Sequence, residues 1–136
     1  MKYWLMKSEP DVFGIADLER KGVSGWDGVR NYQARNFLKE MSVGDRVLFY
    51  HSSVSPPGVA GLAEVTRKAY PDPSQYDPKS EYHDRRSVPG KPLWYQVDVR
   101  FVAQLPRLLS IDELRGLPEL KDMLLFHNSR LSVQPV

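Results

Sequence analysis

The segment from Trp26 to Asn36 combines an aromatic ring with amide and guanidinium side chains, which are groups that can hold a flat heterocycle. The hydrogen-bonding residues in it include Arg30, Asn31, Gln33, Arg35 and Asn36. A ring stacks on a base for roughly 1–3 kcal/mol, and an amide pairs with the donors and acceptors of a base edge. Alternatively, Trp26 plugs the end of the core and Asn31 caps a helix. Residue types alone slightly favour this packing role.

A histidine adjoins a serine at His51 and Ser52, and nucleophilic catalysis pairs these residue types. Consecutive side chains of a strand point to opposite faces, however, so this spacing does not place a base beside a nucleophile. The sequence also lacks a Gly-x-Ser-x-Gly elbow and a phosphate-binding glycine loop with its lysine. The pattern indicates a polar strand end, and we expect the protein not to be an enzyme.

Carboxylates and a histidine crowd residues 72–84, at Asp72, Asp77, Glu81, His83 and Asp84. Oxygen-rich loops of this kind bind hard cations. The spacing matches no known ligand pattern, however, and a run of carboxylates is more often a solvated surface. The chain has no cysteine, which excludes disulfides and thiolate ligands. We therefore expect neither a metal nor another cofactor.

The composition is that of an ordinary globular protein. Its 136 residues suit one domain spanning 1–136. The net charge of +2, from 19 basic and 17 acidic side chains, is a weaker excess than duplex-gripping proteins usually carry. The apolar run Tyr3–Met6 is too short for a signal peptide or a membrane span. A cytoplasmic protein without membrane contact is expected.

Hydrophobic periodicity predicts the helices that position these residues. A short helix is expected over about Ile15–Lys21, between Gly14 as N-cap and Gly22 as stop signal. A second helix follows the Trp26 loop, because its apolar residues recur at helical spacing: Ala34, Phe37, Leu38 and Met41. Ser110 and Glu113 form a capping box that opens a further short helix, and Pro118 can start another.

Buried runs and period-two alternation predict the strands. These are Tyr3–Met6, Arg46–Ser52, Val59–Ala69, Gln96–Phe101 (continuing to just before Pro106) and Leu131–Gln134. Residues 24–30 and 70–92 are expected to be loops, and Gly58 and Gly61 to mark a bulge or a close backbone approach. The fold class is therefore α+β, a small mixed β-barrel of about five or six strands with short helices at its rim.

Several blocks in a fixed order resemble the EVE domain family over essentially the whole chain. The blocks are YWLMKSEP (3–10), GWDGVRNYQARN (25–36), FYHS (49–52), GVAG (58–61), YPD (70–72) and SRLSVQP (129–135). The resemblance implies a PUA-like barrel related to YTH domains. It also implies recognition of a modified base, since YTH domains bind N6-methyladenine in RNA and EVE domains bind 5-methylcytosine derivatives. The expected partner is RNA or DNA carrying such a base.

The resemblance and the residue types together predict the ligand-binding residues, which are Lys7, Ser8, Trp26, Asn31, Tyr32, Arg35, Tyr50, His51, Ser52 and Arg130. In this prediction Trp26 stacks on the base, helped by Tyr32 or Tyr50. Ser8, Asn31 and the backbone near Ser52 bond the polar edge of the base. Lys7, Arg35 and Arg130 contact phosphate or a carbonyl oxygen, and the 70–92 loop borders the cleft as a lid.

Three alternatives to a nucleic-acid-binding module remain at this point. One is a pocket for a small metabolite, such as a modified nucleoside or an anion, whose affinity would depend little on salt. Another is an enzyme acting on a modified base. The third is a protein-interaction domain, which requires the cleft to be filled by the protein's own side chains.

Overall fold

In the computed structural model, which describes residues 1–120, 122–128 and 130–136, six strands form one mixed sheet. Its order is β2-β5-β4-β3-β1-β6. The strands are β1 (Tyr3–Ser8), β2 (Val23–Gly25), β3 (Arg46–His51), β4 (Gly58–Pro71), β5 (Tyr95–Ser110) and β6 (Val133–Pro135). The expected common sheet of residues 3–6, 46–50 and 96–101 is confirmed. Ser129, from the terminal block, lies outside the described residues.

The sheet remains open between its edge strands, so the expected barrel is correct only in a loose sense. In the described residues β2 and β6 stand at opposite ends of the strand order. β1 pairs with β3 in parallel and with β6 in antiparallel orientation. The parallel pair is important for the site, because the carboxyl ends of both strands meet at one edge region of the sheet.

The helices are short and follow the predicted pattern. They are α1 (Pro10–Phe13), α2 (Ile15–Lys21), α3 (Tyr32–Glu40), α4 (Ile111–Arg115) and α5 (Leu124–His127), with 3₁₀ turns at Pro73–Tyr76 and Pro118–Leu120. The α2 bounds agree with the prediction, and the Gly22 N–H donates to the Leu18 carbonyl at 2.7 Å. The capping box is confirmed, since the Glu113 N–H donates to Ser110 Oγ at 3.2 Å.

The prediction that the strand containing Gln96–Phe101 ends before Pro106 is wrong, because β5 continues to Ser110. The pairing register between β4 and β5 shifts here, from Gly61 opposite Gln104 to Val59 opposite Leu109. Pro106 falls in the extra length on the β5 side, where its missing N–H costs no ladder bond. Gly61 lies at the same irregularity, and a Cβ there would stand 2.7 Å from the Ala103 carbonyl of β5, which confirms the expected bulge and close backbone approach.

The predicted 24–30 loop begins with the short strand β2, which pairs with Asp98–Arg100 of β5. Three residues with serine and glycine carry no alternating pattern, so tertiary pairing determines this strand. The predicted 70–92 loop likewise contains a 3₁₀ turn with a fully buried Gln75. The Gln75 side chain donates to the carbonyls of Asp72 and Trp94 at 2.8 and 2.7 Å, which holds this segment against the sheet.

Apolar residues pack on both faces of the sheet. Trp4 and Met6 of β1 enter one core together with Leu38 of α3, while the intervening Leu5 enters a second core beside Leu114. This arrangement explains why β1 carries no alternation of apolar and polar residues.

Candidate functional site

A cavity of about 900 Å³ opens between the carboxyl ends of β1 and β3, the segment after β2, and the 72–94 segment between β4 and β5. Its lining residues are Lys7, Ser8, Glu9, Val12, Phe13, Lys21, Ser24, Gly25, Trp26, Asp27, Gly28, Val29, Ser52, Ser53, Glu81, Tyr82, Arg130 and Ser132. We call this cavity the cleft. Its volume lies within the ~300–1,000 Å³ typical of ligand pockets.

Trp26 forms one wall of the cleft and also belongs to the core. Its backbone N–H extends the pairing of β2 by donating to the Val97 carbonyl at 2.8 Å. The edge-to-face contact with Phe49 places the ring centroids 5.3 Å apart, and only 7% of the residue is exposed. Both interpretations of this tryptophan from the sequence therefore describe part of its environment: the ring packs, and it lines an open cavity.

A buried carboxylate fixes the loop that carries Trp26. Asp72 is 0% exposed, and its Oδ2 accepts from the Gly28 N–H at 2.9 Å and from Arg30 at 3.1 Å. Arg30 also donates to the Tyr82 carbonyl at 2.8 Å. One ion pair thus connects the Trp26 loop to the segment beyond β4, which makes the two walls of the cleft a connected unit.

Gly28 allows the two walls to approach each other. Its φ of +79° is unfavourable for residues with a side chain, and a Cβ there would stand 2.7 Å from the Tyr82 ring. The Tyr82 ring therefore packs directly on the glycine backbone and lines the cleft beside it. The expectation that the 70–92 segment borders the cleft agrees with this contact.

The opposite wall comes from the ends of the parallel strands β1 and β3. The Ser52 N–H donates to the Ser8 carbonyl at 3.0 Å, and the Ser8 hydroxyl donates to the Phe13 carbonyl at 2.6 Å. Since its proton is engaged, the Ser8 oxygen can still accept a hydrogen bond from a ligand. Lys7 is half-buried at this wall, and burial lowers the pKa of its ammonium group.

Three of the sequence-predicted residues lie outside the cleft, at the start of α3. Asn31 caps this helix, with its Oδ1 accepting from the Ala34 N–H at 2.9 Å. Tyr32 stacks on Trp94 with a centroid distance of 4.8 Å. Arg35 donates to the Leu93 carbonyl at 3.0 Å and lies over the Tyr32 ring. The helix turns Tyr32 and Arg35 toward the 93–95 segment rather than toward Trp26.

Tyr50 and His51 also lie outside the cleft lining. Tyr50 is buried in the second core, and its ring centroid is 5.6 Å from Lys7 Nζ. His51 lines a separate cavity of about 260 Å³, and its Nε2 accepts from the Ile15 N–H at 3.1 Å. This bond uses a ring nitrogen that a general base would need, and burial lowers the pKa of the imidazole.

The lining therefore contains Lys7, Ser8, Trp26, Ser52 and Arg130 from the predicted set. The prediction omitted Asp27 and Tyr82. Asp27 adjoins Trp26 in the GWDG block, so position alone could have suggested it. Tyr82 was identifiable only as a tyrosine of the loop, because its placement depends on contacts with Gly28 and Arg30.

The carboxylates considered for metal binding have other partners. Asp72 pairs with Arg30, and Asp84 pairs with Arg86 at 2.8 Å and accepts from Trp94 Nε1 at 3.0 Å. In the described ranges no cluster of histidine, cysteine and acidic residues could hold a metal ion. Within the same ranges, no helix is long and apolar enough to cross a membrane.

Comparison with known proteins identifies the family. Residues 2–136 match the model of the EVE domain. The chain belongs to the EVE domain family. This EVE domain is 44% identical to thymocyte nuclear protein 1 of Danio rerio, over 98% of the chain and 66% of that protein. It thus spans about two thirds of the length of that relative.

Solved structures share the architecture of this EVE domain. A hypothetical protein from Leishmania major is 54% identical, with a TM-score of 0.97 over 100% of this chain and 87% of that one. The crystal structure of human THYN1 in complex with 5-methylcytosine-containing DNA is 41% identical, with a TM-score of 0.95 over 100% of this chain and 91% of that one.

Proposed function

We propose that this EVE domain binds nucleic acid and holds one modified base in the cleft walled by Trp26. The observation that carries the proposal is the similarity to human THYN1, whose structure contains 5-methylcytosine DNA, together with a cleft of suitable chemistry. The base modification that we propose is therefore 5-methylation of cytosine, and the polymer is DNA. RNA is a second substrate to be tested.

The cleft residues suit the parts of a nucleotide. The Trp26 ring supplies an aromatic wall, and the Ser8 oxygen supplies a hydrogen-bond acceptor. Lys7, Lys21 and Arg130 supply positive charge around the cavity, where cations can contact phosphate. Asn31, Tyr32, Arg35, Tyr50 and His51 support this site from outside by capping and packing the elements that form it.

A concave cleft reaches a base only if that base leaves the helical stack. Extrusion costs a few kcal/mol in a duplex and is least costly in single-stranded or mismatched DNA. We therefore propose tighter binding to single-stranded or mispaired sites than to a fully paired duplex. The weak net charge of +2 agrees with binding energy that comes from the pocket more than from phosphate contacts.

We propose that the domain is a binding module and not an enzyme. His51 accepts a backbone hydrogen bond from Ile15, and it lies outside the cleft that contains Ser52. These positions give no base–nucleophile pair within the cleft. Incubation with 5-methylcytosine oligonucleotides followed by mass spectrometry tests this, and a base released or altered over many turnovers would contradict it.

Binding of labelled oligonucleotides tests the proposed function. Matched strands that differ at one position, 5-methylcytosine or cytosine, are compared as single-stranded DNA, duplex DNA and RNA by fluorescence anisotropy. We expect tighter binding to the methylated DNA strand. Equal affinity for both strands would contradict recognition of the modification. Competition by a free nucleoside at micromolar concentrations, with an affinity that changes little with salt, would favour the metabolite pocket instead.

The cellular location is a separate proposal. The relative from Danio rerio is named as a nuclear protein, whereas the sequence led us to expect the cytoplasm. We propose that the domain is located with the DNA of the cell. Imaging of a tagged copy beside a DNA stain tests this, and a copy that stays apart from the stained DNA would contradict it.

A further inference from the structure

Asp27 presents a carboxylate with spare hydrogen-bond acceptors in the cleft. It follows Trp26 directly, is partly exposed, and lines the cavity. In the described residues its carboxylate interacts with its own backbone N–H and accepts no hydrogen bond from another residue. Other aspartates differ in this respect: Asp45 accepts from Trp4, Asp84 from Trp94 and Asp98 from Tyr70. Asp27 therefore offers free acceptor oxygens to a ligand beside the aromatic wall.

The other carboxylates of the cleft already have partners. Glu9 Oε1 accepts from the Ser53 hydroxyl at 3.3 Å, and Glu81 interacts with the Tyr82 hydroxyl. The surroundings of Asp27 also favour a hydrogen-bond donor on the ligand. Partial burial of the carboxyl group at the cleft wall, followed by the charge of Asp72, raises its pKa. A hydrogen-bond donor on the ligand would offset the cost of ionising this carboxyl group, because it would stabilise the ionised form.

The chemistry of pyrimidines gives this carboxylate a specific consequence. Cytosine and 5-methylcytosine carry an amino group at C4, which donates, while thymine carries an oxygen there, which accepts. Thymine and 5-methylcytosine share the C5 methyl group. A pocket that recognised only the methyl group would therefore bind both, whereas a carboxylate facing C4 would attract the amino group and repel the oxygen.

We infer that Asp27 is a specificity-determining residue that accepts a hydrogen bond from the exocyclic amino group of a cytosine-type base and excludes thymine. The inference rests on the proposed function, since it assumes that a pyrimidine enters the cleft. It goes further by naming the residue and the base atom that separate two methylated pyrimidines. Trp26 would contribute stacking to both bases equally.

Asp27→Asn tests this inference with little change of shape. The amide of asparagine can donate to thymine O4 or, after rotation, accept from the cytosine amino group. Matched single strands with 5-methylcytosine or thymine at one position are compared at about pH 8, where a carboxyl group of this type is ionised. We expect the original protein to prefer 5-methylcytosine by about 5- to 150-fold, and Asp27→Asn to lose most of that preference.

Asp112→Asn is the matched control, because it removes the same charge by the same substitution at an exposed side chain outside the cleft. It should keep the preference for 5-methylcytosine over thymine. Equal affinity of the original protein for the two strands would overturn the inference. An Asp27→Asn protein that kept the preference for 5-methylcytosine, or that lost affinity equally for both strands, would also overturn it. These outcomes are distinct from failure of the proposed function, which is measured by the comparison of 5-methylcytosine with cytosine.

Discussion

At the scale of single residues, Trp26 joins the core to the cleft, so its removal should change two quantities. In Trp26→Ala the contact with Phe49 and the burial of the ring are lost, which should lower the free energy of unfolding by about 3–5 kcal/mol. Loss of stacking should weaken binding of a 5-methylcytosine strand by roughly 1–3 kcal/mol, about 5- to 150-fold. Denaturant unfolding and anisotropy measure the two effects.

Trp4→Ala provides the control for this prediction. Trp4 is similarly buried, at 2% exposed, but it packs on Phe37 and does not line the cleft. It should lose comparable stability and, while folded, bind with nearly the original affinity. If both variants lost affinity equally, the wall role assigned to Trp26 would be wrong.

Residue types predicted part of the site. Trp26 could be identified because a glycine-flanked tryptophan beside hydrogen-bonding groups is unusual, and the helix-capping alternative for Asn31 is what the structure shows. The cleft position of Tyr82 could not be predicted, because the Arg30–Asp72 pair that sets it joins residues 42 positions apart. A sequence pattern carries no information about such a contact.

At the scale of elements, the turn at Gly28 determines how closely the walls of the cleft approach. Gly28→Ala introduces a Cβ at positive φ and against the Tyr82 ring. The backbone strain costs about 1–2 kcal/mol, and displacement of Tyr82 should add to it and weaken binding. Thermal unfolding and oligonucleotide titration measure these effects.

Gly22→Ala separates strain from steric conflict. Gly22 has a similar φ of +83°, and a Cβ there would meet nothing within 4 Å. This variant should show the strain cost alone and unchanged binding. A Gly28→Ala protein no less stable than Gly22→Ala, with its affinity retained, would show that the Gly28–Tyr82 contact is unimportant.

The junction between β1 and the turn before β3 should depend on pH through Asp45. Burial alone would raise the pKa of this carboxyl, but hydrogen bonds from Ser42, Trp4 and Lys2 lower it overall. A lowered folded-state pKa means that the stabilisation is present above the ordinary value of about 3.9 and is lost as the pH falls through the folded-state pKa.

Asp45→Asn should therefore reduce the free energy of unfolding at pH 7 by about 1.5–3 kcal/mol, and the difference from the original protein should shrink on acidification below about pH 4. Urea unfolding at several pH values measures it. Asp112→Asn, at a side chain that is 88% exposed, should have little effect at any pH. A difference for Asp45→Asn that did not change with pH would contradict the assignment.

Elements with clear periodicity were predicted well. The apolar stripe of α3 and the buried run of β1 correspond to regular packing, which leaves a repeating pattern in the sequence. The continuation of β5 past Pro106 was missed because the bulge that accommodates the proline depends on the partner strand. β2 was missed because its three residues are a strand only through their pairing with β5.

At the scale of the whole molecule, the topology explains why distant segments meet in one cleft. The parallel pair of β1 and β3 places Lys7 and Ser8 beside Ser52. Trp26 follows β2, which lies at the other end of the strand order, and lines the same cleft. In open α/β sheets, too, ligands bind outside the carboxyl ends of parallel strands. The order of the sequence blocks predicted the family, but it did not predict which block forms which wall of the cleft.

Contact between Trp26 and the nucleic acid can be tested by following tryptophan side chains in solution. The chain has 3 tryptophans, so an amide correlation spectrum shows few indole N–H signals, and substitution assigns each one. Trp4 and Trp94 donate to Asp45 and Asp84 away from the cleft. On titration with a 5-methylcytosine strand, the Trp26 indole signal should shift or broaden while the other two remain. A bound complex in which the Trp26 signal is unchanged, or in which the Trp4 or Trp94 signal shifts instead, would show that Trp26 does not contact the bound strand.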